Sequence, residues 1–155
     1  MRAARSEREG KTGPLPFAER SRRWPWVLVA IYLALIFFLS AQSNPLPMLT
    51  RNFWDKSLHF IEYGGLGALL LFALRGSGVR PSRALLAAVA LASLYGASDE
   101  VHQLFVPERS CDVRDWLADT VGAAAGACLC AGALLLHRLR ASIRPIEGAD
   151  VRGRD

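Results

Sequence analysis

The sequence predicts an all-α integral membrane protein, a bundle of four transmembrane helices with both termini cytoplasmic. Three observations predict it. Apolar and charged residues, 52% and 21% of the 155, are segregated into blocks instead of mixing along amphipathic elements. Four blocks are apolar runs that reach the ~20 residues of a spanning helix once their polar ends are included. The Lys and Arg residues crowd onto one side of those runs. The apolar content excludes wholesale disorder. A net charge of +5 and a pI near 9.6 would suit a nucleic-acid binder, but the placement of the charges assigns the excess to topology. Membrane lipids, not nucleic acid, are the expected partners.

Residues 1–23 are rich in Arg and Ser, lack a periodic apolar face and read as a disordered basic cytosolic tail. Residues 24–140 form the membrane domain, and 141–155 a second cytosolic tail. The first run, Trp24–Leu39, is uncharged and apolar on every side, which 155 residues cannot bury in a protein core. Trp24 and Trp26 suit a headgroup-level anchor. A cleaved signal peptide ending near Ser40-Ala41-Gln42-Ser43 is the competing reading, and the long leader argues against it. The second run, Leu58–Leu74, carries His59 and Glu62 near its start. The third, Ala84–Ala97, is clean until Ser98, Asp99, Glu100 and His102. The fourth, Trp116–Leu136, contains a single acid, Asp119. With the first tail inside, fifteen Lys/Arg fall on the inner side and four (Arg51, Lys56, Arg109 and Arg114) on the outer.

That topology puts every near-membrane acid in the outer half of the bilayer, where ionisable groups face a bundle interior or a wet cavity. Helical phase makes them converge. Asp55, His59 and Glu62 recur on one face of the second helix, with Lys56 and Tyr63 beside them. Tyr95, Asp99, His102 and Gln103 share a face of the third. Asp112, Asp115, Asp119, Gly122 and Gly126 form a stripe on the fourth. Gly122 and Gly126 make a GxxxG element that lets two backbones approach, and the Gly64-Gly65-Leu66-Gly67 cluster can serve the same end. Plainer roles compete: Asp55, Lys56 and Asp112 can be solvated or N-cap residues, and His59 an interfacial histidine. Glu62 lies two turns into its helix, and Asp119 needs a partner, with Arg109 or His59 as candidates. Cys128 and Cys130 point to different faces and read as packing residues. With Cys111 they form neither a disulfide framework nor a CxxC metal site.

Asp55-Lys56-x-x-His59-Phe60-x-Glu62-Tyr63-x-x-Leu66-Gly67 resembles the first signature of the VanZ-like membrane protein family. Ser98-Asp99-Glu100-x-His102-Gln103-x-Phe105-Val106-Pro107-x-Arg109-Ser110 resembles its second. Asp112-x-x-Asp115-Trp116-x-x-Asp119-Thr120-x-Gly122-x-x-x-Gly126 continues it. The resemblance spans about residues 26–136. This chain has Glu108 where the family usually has glycine. The resemblance implies a small helical bundle in the bacterial envelope. The family takes its name from glycopeptide (teicoplanin) resistance, and its members are proposed to modify or exchange headgroups of phospholipids or polyprenyl lipids.

Three functional readings follow. In the first, an enzyme acts on a lipid phosphate ester at the outer leaflet. His59 or His102 is general base or nucleophile, Glu62 or Asp99 orients the imidazole, and Arg109 grips phosphate oxygens in two-pronged fashion. Lys56, Glu100, Gln103 and Ser110 complete the substrate-binding set. Asp112, Asp115 and Asp119 are the candidate ligands for Mg²⁺ or Ca²⁺, which take oxygen ligands. The D-G-x-x-A-R element of CDP-alcohol phosphotransferases, the S-R-x5-H-x3-D run of lipid phosphatases and a rhomboid-like serine motif are all missing. In the second reading the same groups bind a headgroup or partner without turnover. In the third, His59, Glu62 and Asp99 relay protons in a small transporter, against which the inner helix halves offer no polar path.

Overall fold

A computed structural model describes residues 17–43 and 55–143, and among these every regular element is helical. The helices are α1 (Phe17–Ser40), α2 (Asp55–Gly76), α3 (Pro81–Gln103) and α4 (Val113–Ile143). All four are long and apolar enough to cross a membrane. Helix α1 starts earlier than its apolar run: residues 17–23, expected in the tail, are helical, and Pro25 lies within the helix. The Ala, Glu and Arg residues of that stretch are good helix formers. Residues 1–16, 44–54 and 144–155 lie outside the described residues, and with them the rest of both expected tails and Arg51.

The chain runs up and down. Tyr32 Oη donates to the Glu62 carbonyl (3.0 Å) and Trp26 Nε1 to Ser77 Oγ (2.9 Å), which sets α1 antiparallel to α2. The α2–α3 turn closes as a Schellman motif, with Val79 N–H on the Leu74 carbonyl (3.1 Å) and Gly78 N–H on that of Arg75 (3.1 Å). Gly78 takes φ +87°, a conformation that costs glycine nothing. Pro81 opens α3, where a missing N–H does no harm. A compact turn with Val106 buried leads from α3 to α4. Glu108 there adopts φ 64°, the left-handed region that favours glycine. The departure noted in the sequence therefore falls where a side chain is least welcome.

Packing reverses the pattern of a water-soluble bundle. Leu86, Leu94, Leu129, Phe38 and Ile61 are exposed, whereas Ala84, Ala88, Ala92, Ala123 and Ala127 are buried. Lipid tails are as apolar as leucine, so contact is gained by small residues that let backbones approach. The most extensive contact joins α2 and α4, which run parallel. A Cβ on Gly122 would fall on the Phe60 carbonyl, one on Gly126 on the Gly64 carbonyl, and one on Gly67 on the Ala123 carbonyl. The Gly122/Gly126 stripe thus packs on the Gly64–Gly67 segment. On α3 the buried line runs Ala84, Ala88, Ala92, Gly96 and then turns to Asp99, Glu100 and Gln103. Small residues draw the helices together, and the same faces end in acids.

Candidate functional site

His59, His102 and the acids of the membrane domain gather where α1 ends, α2 begins, α3 ends and α4 begins, whereas His137 lies near the far end of α4. The close α2–α4 contact brings His59 Nδ1 to 3.0 Å from Asp119 Oδ1, with both residues buried. Asp119 is the carboxylate in contact with the His59 ring. Neither Glu62 nor Asp99, expected in that role, has this contact. Glu62 shares the His59 helix and is half-buried in the field of His59, Asp99, Asp119 and Arg109. Asp99 is buried and accepts Gln103 Nε2 at 3.4 Å within its own helix. His102 is half-buried and stacks on Phe37 of α1, with ring centroids 4.6 Å apart.

Lys56 donates to Asp112 Oδ2 (2.9 Å) and Asp115 Oδ1 (2.6 Å), tying the start of α2 to that of α4. Asp112 is also the N-cap of α4. Its Oδ1 accepts Arg114 N–H at 2.8 Å, and this bond, with Lys56 second, holds its carboxyl below the usual aspartate value. Its own N–H donates to Glu100 Oε2 at 2.7 Å. Arg109 is half-buried, and Ser110 is exposed on the connecting turn. Asp112, Asp115 and Asp119 do not converge as a metal set. Asp112 and Asp115 both meet Lys56, whereas Asp119, seven residues and about 10 Å beyond Asp112, meets His59. Among the described residues the group that does converge is His59, Glu100 and Asp115, each offering one ligand atom within 4.8 Å of the others.

Among the described residues, six buried side-chain atoms have no hydrogen-bond partner: Ser40 Oγ, Tyr63 Oη, Glu100 Oε1, His102 Nε2, Arg109 Nε and Asp119 Oδ2. All belong to the polar end. Buried polar groups are ordinarily satisfied, so a cluster of unsatisfied ones marks a place built for water or a ligand. Beside it, a groove of about 790 Å³ lies between α2 and α4. Lys56 and Arg114 line it together with Phe60, Ile61, Leu117 and Val121.

A profile of the VanZ/LLP1 family matches residues 15–136. The chain belongs to the VanZ/LLP1 family. No curated protein and no solved structure matches it. The family match takes in all four spanning segments except the end of α4, and every residue of the polar site. It makes the chain a multi-pass membrane protein of this family.

Several parts of the site escaped the sequence reading. Tyr63, fully buried with its hydroxyl unpartnered, stands in the sequence only beside the Asp55, His59 and Glu62 face and within the first signature, with no role of its own. Its position four residues after His59 was the available signal. Gly96 leaves room for Asp119, since a Cβ there would lie 2.9 Å from Asp119 Oδ2 and 3.2 Å from Tyr63 Cε1. Trp116 Nε1 donates to the Ser93 carbonyl (3.1 Å), and the Ser93 and Thr120 hydroxyls lie 2.8 Å apart, a polar clasp between α3 and α4.

Proposed function

We propose that this VanZ/LLP1-family protein acts on the phosphate ester of a lipid headgroup, phospholipid or polyprenyl lipid, at the outer face of the bacterial cytoplasmic membrane. One observation carries the reading: the buried His59–Asp119 pair at 3.0 Å, set among six buried polar atoms without partners. A carboxylate on one ring nitrogen fixes the tautomer and orientation of a histidine, so the other nitrogen is presented to substrate. His59, held in this way, activates the oxygen of a water or acceptor alcohol for attack on phosphorus. The attacking oxygen loses a proton and the departing headgroup oxygen gains one, for which His102 is the candidate acid. Arg109 is the phosphate ligand, its fork matching two phosphate oxygens. The groove beside Lys56 and Arg114, cationic at one end and lined below by Phe60, Ile61, Leu117 and Val121, suits a phosphate with an acyl or prenyl chain beneath it.

The distribution of fifteen Lys/Arg against four supports cytoplasmic termini and hence an outer-leaflet site. Cys111 is exposed on the α3–α4 turn. A membrane-impermeant maleimide added to intact cells is expected to label Cys111 and spare Cys128 and Cys130. Labelling of Cys111 only in broken cells would reverse the orientation. Changes in surface lipids would link the protein to glycopeptide susceptibility. The functional test is lipid mass spectrometry of membranes carrying wild-type protein, His59→Gln or no protein. A lipid species that depends on wild type and disappears with His59→Gln supports turnover. Identical lipid profiles, with lipid still co-purifying, would leave a headgroup-binding protein without catalysis.

A further inference from the structure

We infer that His59, Glu100 and Asp115 form a binding site for one divalent transition-metal ion of the Zn²⁺ or Mn²⁺ class. The residues come from α2, α3 and α4, all three are buried, and one ligand atom of each lies within 4.8 Å of the others. Coordination at about 2.0–2.2 Å requires the two carboxylates to rotate inward. Clustering alone would be weak grounds, and three further features point to a cation. Glu100, 3% exposed, keeps Oε1 without a partner while Oε2 is taken by Asp112 N–H. Asp119, 0% exposed, engages His59 Nδ1, which is how a second carboxylate orients a coordinating imidazole and raises its basicity. Finally, among the described residues the buried carboxyls of Asp99, Glu100, Asp115 and Asp119 share this end with the cations Lys56, Arg109 and Arg114. Lys56 contacts Asp112 and Asp115 directly. Buried carboxylates in excess call for a counter-charge.

The imidazole decides the class of ion. Mg²⁺ and Ca²⁺ favour all-oxygen sets, whereas one nitrogen with two carboxylates suits Zn²⁺ or Mn²⁺. Of the acids first considered for a metal, only Asp115 belongs to this set. The inference rests on the proposed function only for what the ion does: it would bind a phosphate oxygen and acidify a coordinated water, with His59 coordinating instead of taking the proton itself. Binding itself stands apart from turnover.

The test uses full-length protein in detergent, free of affinity tag, with Cys111, Cys128 and Cys130 replaced by serine to remove thiol ligands. After chelator treatment it is titrated calorimetrically with Zn²⁺, Mn²⁺ and Mg²⁺ in turn. One saturable ion per chain is expected for Zn²⁺ and Mn²⁺, with Mg²⁺ at least about tenfold weaker. Glu100→Gln should weaken Zn²⁺ by more than about tenfold, and Asp119→Asn by about 10–100-fold through loss of the orienting contact. Glu108→Gln, on the connecting turn, should leave binding unchanged. Should Glu100→Gln fail to fold, the wild-type Mn²⁺ complex decides, because its electron spin echo should carry modulation from one coordinated imidazole nitrogen. No saturable binding, undiminished binding by folded Glu100→Gln, or a Mn²⁺ complex without nitrogen coupling overturns the site. Lipid turnover with and without chelator separates the two claims. Binding without turnover keeps the site and removes the enzyme reading. Turnover that survives chelation yet needs His59 removes the site and keeps the enzyme.

Discussion

Helices α2 and α4 meet twice, in two unlike ways. Along the middle of their seam, Gly122, Gly126 and Gly67 bring each backbone onto the other, and there is no space for a single added carbon. A few residues nearer the polar end, the same helices hold His59, Lys56, Asp115 and Asp119 in cross-helix pairs, and buried polar atoms are left over. The first region is finished by packing; the second is completed only by something else. The two depend on each other, since the glycine contact sets the separation at which Asp119 reaches His59. Stability should therefore reside in the seam and function at the polar end, and variants can separate them.

The largest effect is expected at the seam. Gly126→Leu drives a side chain into the Gly64 backbone and should cost about 3 kcal/mol or more, seen as loss of the folded bundle in detergent melting or unfolding. Next comes Glu108→Gly on the α3–α4 turn, where φ is 64°. Releasing the left-handed side chain should raise stability by about 0.5–1 kcal/mol, partly offset by the freer unfolded chain. If the melt does not rise, the turn is not strained as described.

A smaller effect should appear with acid. The Asp112 carboxyl titrates below its ordinary 3.8 because Arg114 N–H and Lys56 favour its charged form. A depressed folded value means the stabilisation is complete above the unfolded value and is lost as pH falls below it toward the folded one. Asp112→Asn keeps a capping oxygen but removes the charge, so the acid limb of a stability–pH profile should flatten below about pH 4. An unchanged limb would mean that the Lys56 and N-cap contacts do not persist in solution. The smallest effect belongs to Gly132→Leu, which meets nothing within 4 Å and should stay within about 0.5 kcal/mol of wild type. If Gly132→Leu were as damaging as Gly126→Leu, the seam would lose its distinction from the rest of α4.

The four helices were legible because spanning length and apolar runs follow from bilayer thickness, which acts on each segment separately. The start of α1 at Phe17 was not, since residues 17–23 are charged and fall outside the hydrophobic run. The gathering of His59, Glu62, Asp99 and Asp119 could be read from helical phase and topology. Their pairing could not be fully read. Whether His59 takes Asp119, Asp99 or Glu62 depends on the separation and rotation of two helices, and those are set by glycines one or two turns away. Asp119 could be seen to need a partner, with His59 as one of two candidates, whereas the place of Glu100 opposite His59 and Asp115 had no signal within any single helix. The Gly96 clearance for Asp119 was hidden in the same way, as one more small residue on the Ala84–Ala88–Ala92 line.

The division between seam and polar end is tested most directly by Asp119→Asn, read twice in one preparation: melting in detergent and lipid mass spectrometry of the source membranes. Asparagine preserves size and removes a buried charge whose Oδ2 has no partner. The account predicts a melting temperature equal to or slightly above wild type, together with loss of the lipid species made by wild type. A folded variant with an unchanged lipid profile, or a collapse in stability comparable to Gly126→Leu, would contradict it.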